Sequence, residues 1–152
     1  MFDNKYMHIA LLEAQKAYDK GEIPVGCVIV MHHTDIIIKS HNLCETNNNP
    51  NMHAEMLAIN AACKKIGSKN LASCDIYVTL EPCTMCASAI SNARIKRLFY
   101  ACPDIKQGAV ENGVNFFKAK SCFHRPEIYS GILIKESMGL ITSFFRKIRL
   151  NK

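Results

Sequence analysis

The stretch Leu80-Glu81-Pro82-Cys83-Thr84-Met85-Cys86 decides how this chain is read. It follows Asp75-Ile76-Tyr77-Val78-Thr79, an apolar run of strand length, and leads into the small residues Ala87-Ser88-Ala89, which suit a closely packed helix. Cys-x-x-Cys at the first turn of a helix puts both sulfurs on one side, near backbone N–H groups that favour thiolate. Pro82 is expected at the first helical position, where no N–H is needed. Upstream, His53-Ala54-Glu55 opens another helical pattern, with His53 lying 30 residues before Cys83. His53, Cys83 and Cys86 supply the imidazole and thiolates that a soft divalent metal such as zinc takes. Three protein ligands leave one tetrahedral position open, as a catalytic zinc requires and a structural zinc does not. Glu55 adds a carboxylate that can act on whatever fills that position. Residues two apart do not share the side of a helix, but at a helix N-terminus both can lean toward one point. Both segments are therefore expected at helix starts that face one another.

The rest of the chain arranges itself around these two starts. Asp3 to Lys20 carries Met7, Ala10, Leu11, Ala14, Ala17 and Tyr18 at helical spacing, with Asp3 as candidate N-cap and Gly21 as stop. Gly26-Cys27-Val28-Ile29-Val30-Met31 and Ile36-Ile37-Ile38-Lys39-Ser40-His41 read as a β-hairpin around His32-His33-Thr34-Asp35. The paired histidines are expected to be exposed and unsupported, hence a poor metal site. His8 is expected on the surface or satisfied in the core. Asn42 to Asn51 is loop, and a loop that feeds the metal helix is where substrate contacts belong. Asn42, with an amide donor and acceptor suited to a heteroaromatic ring edge, is the candidate there; the alternative is an asparagine that caps a turn. Met52 to Lys65 reads as a helix burying Met56, Leu57, Ile59, Asn60, Ala61 and Cys63, ended by Gly67. Arg97 to Ala101 is a strand, and residues 102–126 are loop with a short element near Val114 to Phe117. Glu127 to Gly131 is open between strand and helix approach. Leu133 to Arg149 is a helix with Leu133, Met138, Ile141, Phe144, Phe145 and Ile148 on its apolar face. This alternation of strands and helices predicts an α/β sandwich, helices covering a sheet, in a single domain over residues 1–152.

Composition narrows the functional classes. At 49% hydrophobic residues, the chain has no apolar run long enough to span a membrane, and its first residues do not read as a secretory signal. A cytoplasmic protein is the expectation. The chain is too large for a disulfide-stapled mini-domain, so Cys27, Cys44, Cys63, Cys74, Cys102 and Cys122 are expected as buried free thiols. The net charge of +6 suits a polyanionic partner without identifying one. Arg146-Lys147-Ile148-Arg149-Leu150-Asn151-Lys152 holds four basic residues, which suit either nucleic-acid contact or a solvated helix end.

His53-Ala54-Glu55 with Pro82-Cys83-Thr84-Met85-Cys86 matches H-x-E…P-C-x-x-C, the established mark of zinc nucleobase deaminases. More of the chain resembles the bacterial tRNA-specific adenosine deaminase branch. The similar stretches are Glu22-Ile23-Pro24-Val25-Gly26, Asn42, Val78 through Ala87, Ser91-Asn92-Ala93-Arg94-Ile95 and Asp104-Ile105-Lys106-Gln107-Gly108-Ala109. His124-Arg125, Gly131-Ile132-Leu133 and Phe144-Phe145-Arg146 continue the likeness to the last helix. His41 and Leu43 beside Asn42, and Val110-Glu111-Asn112-Gly113, depart from it.

The resemblance implies a cytidine deaminase-like three-layer α/β/α sandwich with a mixed central sheet of about five strands. It implies zinc, one per subunit, on His53, Cys83 and Cys86, with Glu55 as the catalytic proton carrier. The reaction implied is hydrolysis of adenosine to inosine at the wobble position of a tRNA anticodon. Asn42, Ile23, Val25 and Ala54 would contact the base. Lys106, Arg125, Phe144, Phe145, Arg146, Lys147 and Arg149 would meet the anticodon stem-loop, and the protein would be a homodimer. Three other readings share parts of the pattern. A deaminase of a free base, nucleoside or nucleotide, of guanine or cytidine type, would keep the same centre. A structural zinc module would close the fourth position with Cys44 or His41. A non-catalytic RNA-binding protein would keep the charge without the chemistry.

Overall fold

The structure is a computed structural model and describes residues 3–152; Met1 and Phe2, from the segment read above for a secretory signal, lie outside the described residues. Its elements are α1 (Lys5–Asp19), β1 (Gly26–Met31), β2 (Ile37–His41), α2 (Ala54–Ile66), β3 (Cys74–Leu80), α3 (Thr84–Asn92), β4 (Arg97–Cys102), β5 (Glu127–Ser130) and α4 (Ile134–Leu150). A 3-10 turn at Phe116–Lys118 is the short element of the long loop. The strands form one mixed sheet in the order β2-β1-β3-β4-β5. β1 runs antiparallel to β2 and β3, whereas β3, β4 and β5 are parallel. Among the described residues no helix is long and apolar enough to cross a membrane.

Period-two alternation along the strands builds the three layers. Cys27, Ile29, Ile76, Val78, Leu98 and Tyr100 face Ala54, Ala58, Ala62, Ala87 and Ile90 of α2 and α3. The intervening Val28, Val30, Tyr77, Phe99 and Ala101 face Met7 and Ala10 of α1 and Leu133 at the start of α4. On that side Tyr77 stacks on Phe99 with centroids 4.4 Å apart, and Phe99 on Tyr129 at 5.0 Å. The α/β/α sandwich expected from the resemblance is therefore present. The parallel β3-α3-β4 crossover brings the two strand ends together, with Leu80 opposite Cys102 and the Glu81 N–H donating to the Cys102 carbonyl at 2.8 Å. Those C-terminal strand ends carry the site.

Several local expectations are corrected. Asn4, not Asp3, occupies the α1 N-cap position, while Asp3 accepts from the Lys5 N–H at 2.9 Å. α2 buries Ala54, Glu55, Ala58, Ile59 and Ala62, and Asn60 and Ala61 face solvent. The close approach of α2 to the sheet selects the alanine stripe over the larger Met56 and Leu57. Pro82 precedes the N-cap Cys83, so it ends the strand rather than opening the helix. His32 is not unsupported: its Nε2 lies 2.9 Å from the buried Asp75, which Arg97 also pairs at 2.7 Å. Glu127 to Ser130 resolves as an edge strand against β4. Of the six non-ligand cysteines, Cys44 and Cys63 are half-buried rather than buried, and all six are free thiols.

Gly26 shows how tightly α1 is seated. A Cβ there would lie 1.8 Å from the Ala10 carbonyl oxygen and 2.6 Å from the Ala14 nitrogen, both backbone atoms that cannot swing aside. Gly26→Ala should therefore lower the unfolding free energy by about 1–3 kcal/mol or more, read from chemical denaturation. An unchanged midpoint would mean that α1 is free to move away.

Candidate active site

Two helix N-termini meet at the C-terminal ends of β3 and β4. His53 is the N-cap residue of α2 and Cys83 that of α3, both with extended backbone, and Cys86 lies in the first turn of α3. His53 Nδ1 is 3.6 Å from the Cys83 sulfur and 3.5 Å from the Cys86 sulfur. A tetrahedral zinc with Zn–S near 2.3 Å and Zn–N near 2.05 Å requires N···S separations of about 3.55 Å, so the donor set fits the ion. Among the described residues, His53, Cys83 and Cys86 are the group able to hold a metal, their donor atoms all within 4.8 Å of one another. Neither Cys44 nor His41 joins them. The Cys44 thiol turns to the Asn42 amide, and His41 is held between Glu13 at 2.7 Å and Lys20 at 2.9 Å. The closed, structural form of the centre is thereby without a fourth ligand from either candidate.

The hydrogen bond from Cys86 pulls the Cys83 thiol down to about 4 against the effect of burial, and His53 adds to the pull. The same bond, with burial, pushes the Cys86 thiol up, and the Cys83 contact raises His53. Glu55, 4% exposed, sets its Oε2 3.0 Å from the Cys86 sulfur, beside the donor set. Burial raises its pKa against the Cys86 hydrogen bond, the direction required of a carboxyl that must both take and give a proton.

A cavity of about 800 Å³ opens from this centre. Ile23, Val25, Asn42, Ala54 and Leu80 line it, together with Met138, Ile141, Phe145, Ile148, Arg149 and Lys152 of the C-terminal segment. Its volume falls in the range of small-molecule sites. Of the expected substrate contacts, all four lie on this lining, although the Ala54 carbonyl already accepts from the Ser40 hydroxyl at 2.6 Å. The expected RNA contacts divide. Lys106, Phe145 and Arg149 line the cavity. Phe144 does not: it is 6% exposed and packs edge-on against Tyr18 with centroids 5.9 Å apart, so its ring is core and offers no face to a base. Lys147 sits 5.5 Å over the Tyr18 ring, on the α1 side of the helix. Arg125 is exposed beside the start of β5, at the opposite end of the parallel strands from the cavity.

Two buried carboxylates shape the loops around the mouth and were not singled out from the sequence. Glu81, 2% exposed, accepts from the backbone N–H groups of Asp104, Val110, Glu111 and Asn112 and from the Asn112 amide at 2.7 Å. Gly108 packs so close that a Cβ would lie 2.5 Å from the Glu81 carboxyl carbon. Glu22, 0% exposed, accepts from the N–H groups of Glu45 and Thr46 and the Thr46 hydroxyl, holding the loop that carries Asn42. Acidic residues directly before Pro-Cys and Ile-Pro were the available signal.

Residues 1–102 match the family model for the cytidine and deoxycytidylate deaminase zinc-binding region. The chain belongs to this family. Within the zinc-binding deaminases it is 58% identical to the tRNA-specific adenosine deaminase of Rickettsia typhi, over 94% of this chain and 97% of that protein. It is 41% identical to the tRNA-specific adenosine deaminase of Bacillus subtilis, over 99% of this chain and 92% of that one. A solved structure from a study of A-to-I editing by tRNA:A34 deaminases superposes with a TM-score of 0.88 at 45% identity, covering 91% of this chain and 99% of that one. Zinc is the cofactor of this deaminase family, and the His/Cys/Cys group fits it.

Burial raises Glu22, but the Thr46 and Glu45 hydrogen bonds outweigh it and leave its pKa below the ordinary 4.5. A carboxyl depressed in the folded state stabilises the fold above its unfolded pKa and loses that contribution as pH falls through the folded one. Glu22→Gln should therefore lower the melting temperature at pH 7 and narrow its deficit below pH ~4.5. A deficit that is constant from pH 7 to pH 3 would show that the charge is not what holds the loop.

Proposed function

We propose that the chain is a single deaminase domain that hydrolyses adenosine to inosine at the wobble position of a tRNA anticodon, releasing ammonia. The observation that carries this reading is a His/Cys/Cys donor set with Glu55 beside it, opening into a cavity walled by a basic helix end. The near full-length likeness to tRNA-specific adenosine deaminases selects the substrate class.

His53, Cys83 and Cys86 would hold the zinc, whose Lewis acidity makes water nucleophilic at neutral pH. Glu55 takes the water proton on its carboxylate and delivers it to a ring nitrogen of the base. A second proton transfer by Glu55 accompanies departure of the amine, so that adenosine and water become inosine and ammonia. Burial of Glu55 keeps bulk water from competing for that proton. Ile23, Val25 and Leu80 supply an apolar wall for the ring, and Asn42 a hydrogen bond to its edge. An unpaired anticodon base enters such a cavity at lower cost than a duplex base. Lys106, Arg149 and Lys152 at the mouth are placed to meet its phosphates, and Phe145 to stack on a neighbouring base. Arg146, Lys147 and Arg125, which do not line the cavity, have at most an outlying part in this. A homodimer acting in the cytoplasm completes the reading.

Purified protein should form inosine in an adenosine-bearing anticodon stem-loop and leave free adenosine, cytidine and guanine unchanged. Turnover of a small substrate alone would keep the chemistry and overturn the tRNA assignment. Glu55→Ala should retain zinc and fold while losing at least about 10²-fold in turnover, in line with the usual contribution of a general acid–base group. Substantial residual activity would reject Glu55 as the proton carrier. Arg149→Ala with Lys152→Ala should weaken stem-loop binding and reduce its salt dependence more than Arg146→Ala with Lys147→Ala. Equal effects across a salt series would assign binding to the whole tail rather than to the cavity rim.

A further inference from the structure

We infer that Cys44 is a positioning residue whose thiol fixes the orientation of the Asn42 side-chain amide, so that Asn42 presents its NH2 donor to the base. This deepens the proposed function and rests on it. Asn42 is 7% exposed and lines the cavity together with His53 and Glu55. Its backbone is held by the N–H bond to the Val25 carbonyl at 3.1 Å, which leaves side-chain rotation as its remaining freedom. An asparagine amide turned by half a circle exchanges donor for acceptor with almost no change of shape. What stands beside it therefore decides which end faces the substrate.

The Cys44 sulfur lies 3.2 Å from Asn42 Oδ1. A thiol is a better donor than acceptor here, because S–H has one proton to give and sulfur is a poor partner for an amide N–H. Its other acceptor, the Pro50 carbonyl, is farther at 3.6 Å. Burial raises the Cys44 pKa above its ordinary 9.0, which keeps the proton on sulfur at neutral pH. Among the described residues the Asn42 NH2 group has no hydrogen-bond partner, yet no buried side-chain polar atom is left unsatisfied. The donor end is thus the one open to the cavity.

The loop is built to hold the thiol in place. The Leu43 N–H donates to the Met52 carbonyl at 3.0 Å, the Asn49 N–H to the Cys44 carbonyl at 2.9 Å, and Glu22 grips the next two residues. An NH2 donor favours a base with an imine-type ring nitrogen at that edge, as a purine has, and disfavours one that presents N–H there. Cys44 then contributes to substrate choice without touching the substrate.

The test is a double-mutant cycle between Cys44→Ala and Asn42→Ala on the zinc-loaded full chain, with Cys44→Ser as the conservative variant. On the adenosine stem-loop, Cys44→Ala should reduce kcat/KM about 3- to 10-fold, mainly through KM, as loss of one orienting hydrogen bond implies. Cys44→Ser, which keeps a donor, should recover most of that loss. In the Asn42→Ala background the Cys44→Ala effect should shrink to less than about 2-fold, because no amide remains to orient. Equal losses for the alanine and serine variants, or a Cys44→Ala effect that persists without Asn42, would overturn the inference and make Cys44 a packing residue. If the wild-type protein deaminates only a free base, the tRNA reading alone fails and the cycle is read on that base. A wild-type protein that deaminates none of them overturns both.

Discussion

Everything about the site depends on two helix N-termini brought face to face. α2 begins at His53 and α3 at Cys83, and neither residue makes a side-chain cap hydrogen bond. Residues at these positions usually satisfy the orphan N–H groups of the first turn. Here they point across the gap instead, and the first-turn N–H groups leave a positive field that favours thiolate. The helix ends meet because β3 delivers Cys83 from its C-terminal end while α2 packs on the sheet over β1 and β2.

Buried carboxylates organise the loops around that gap. Glu81 gathers four backbone N–H groups from residues 104–112, and Glu22 two from the loop before α2. A buried carboxylate is tolerable only when its lone pairs are filled, so each acid imposes one arrangement on the backbone that fills them. The chain thereby presents Asn42, directly after β2, and Lys106, in the loop after β4, on the cavity lining.

α4 divides its amphipathic face between two tasks. Phe144 and Ser137 are buried against the body of the protein, the latter donating its hydroxyl to the Thr79 carbonyl. Met138, Phe145 and Ile148 remain 46%, 41% and 38% exposed and line the cavity instead. An apolar stripe wider than the packing interface leaves surface for a ligand, and here that surplus lies next to the metal-binding group. Lys147 and Arg149, two residues apart, fall on different sides for the same geometric reason.

The sequence by itself determined the element order apart from β5, the mixed α/β character and the donor set, since period-two and period-3.6 patterns and ligand spacing are local properties of the chain. His53, Glu55, Cys83 and Cys86 were legible because each residue type has few reasons to stand in that pattern. The tertiary structure decided the rest. It placed Phe144 in the core and Phe145 in the cavity, a choice that depends on what packs against α4. It chose the alanine stripe of α2 over Met56 and Leu57, because the distance from helix to sheet is set by both partners. It also revealed Glu22 and Glu81, whose partners lie in the backbone of loops that a linear reading does not bring together. Local patterns specify which elements form; only their packing specifies which polar atoms must be satisfied, and by what.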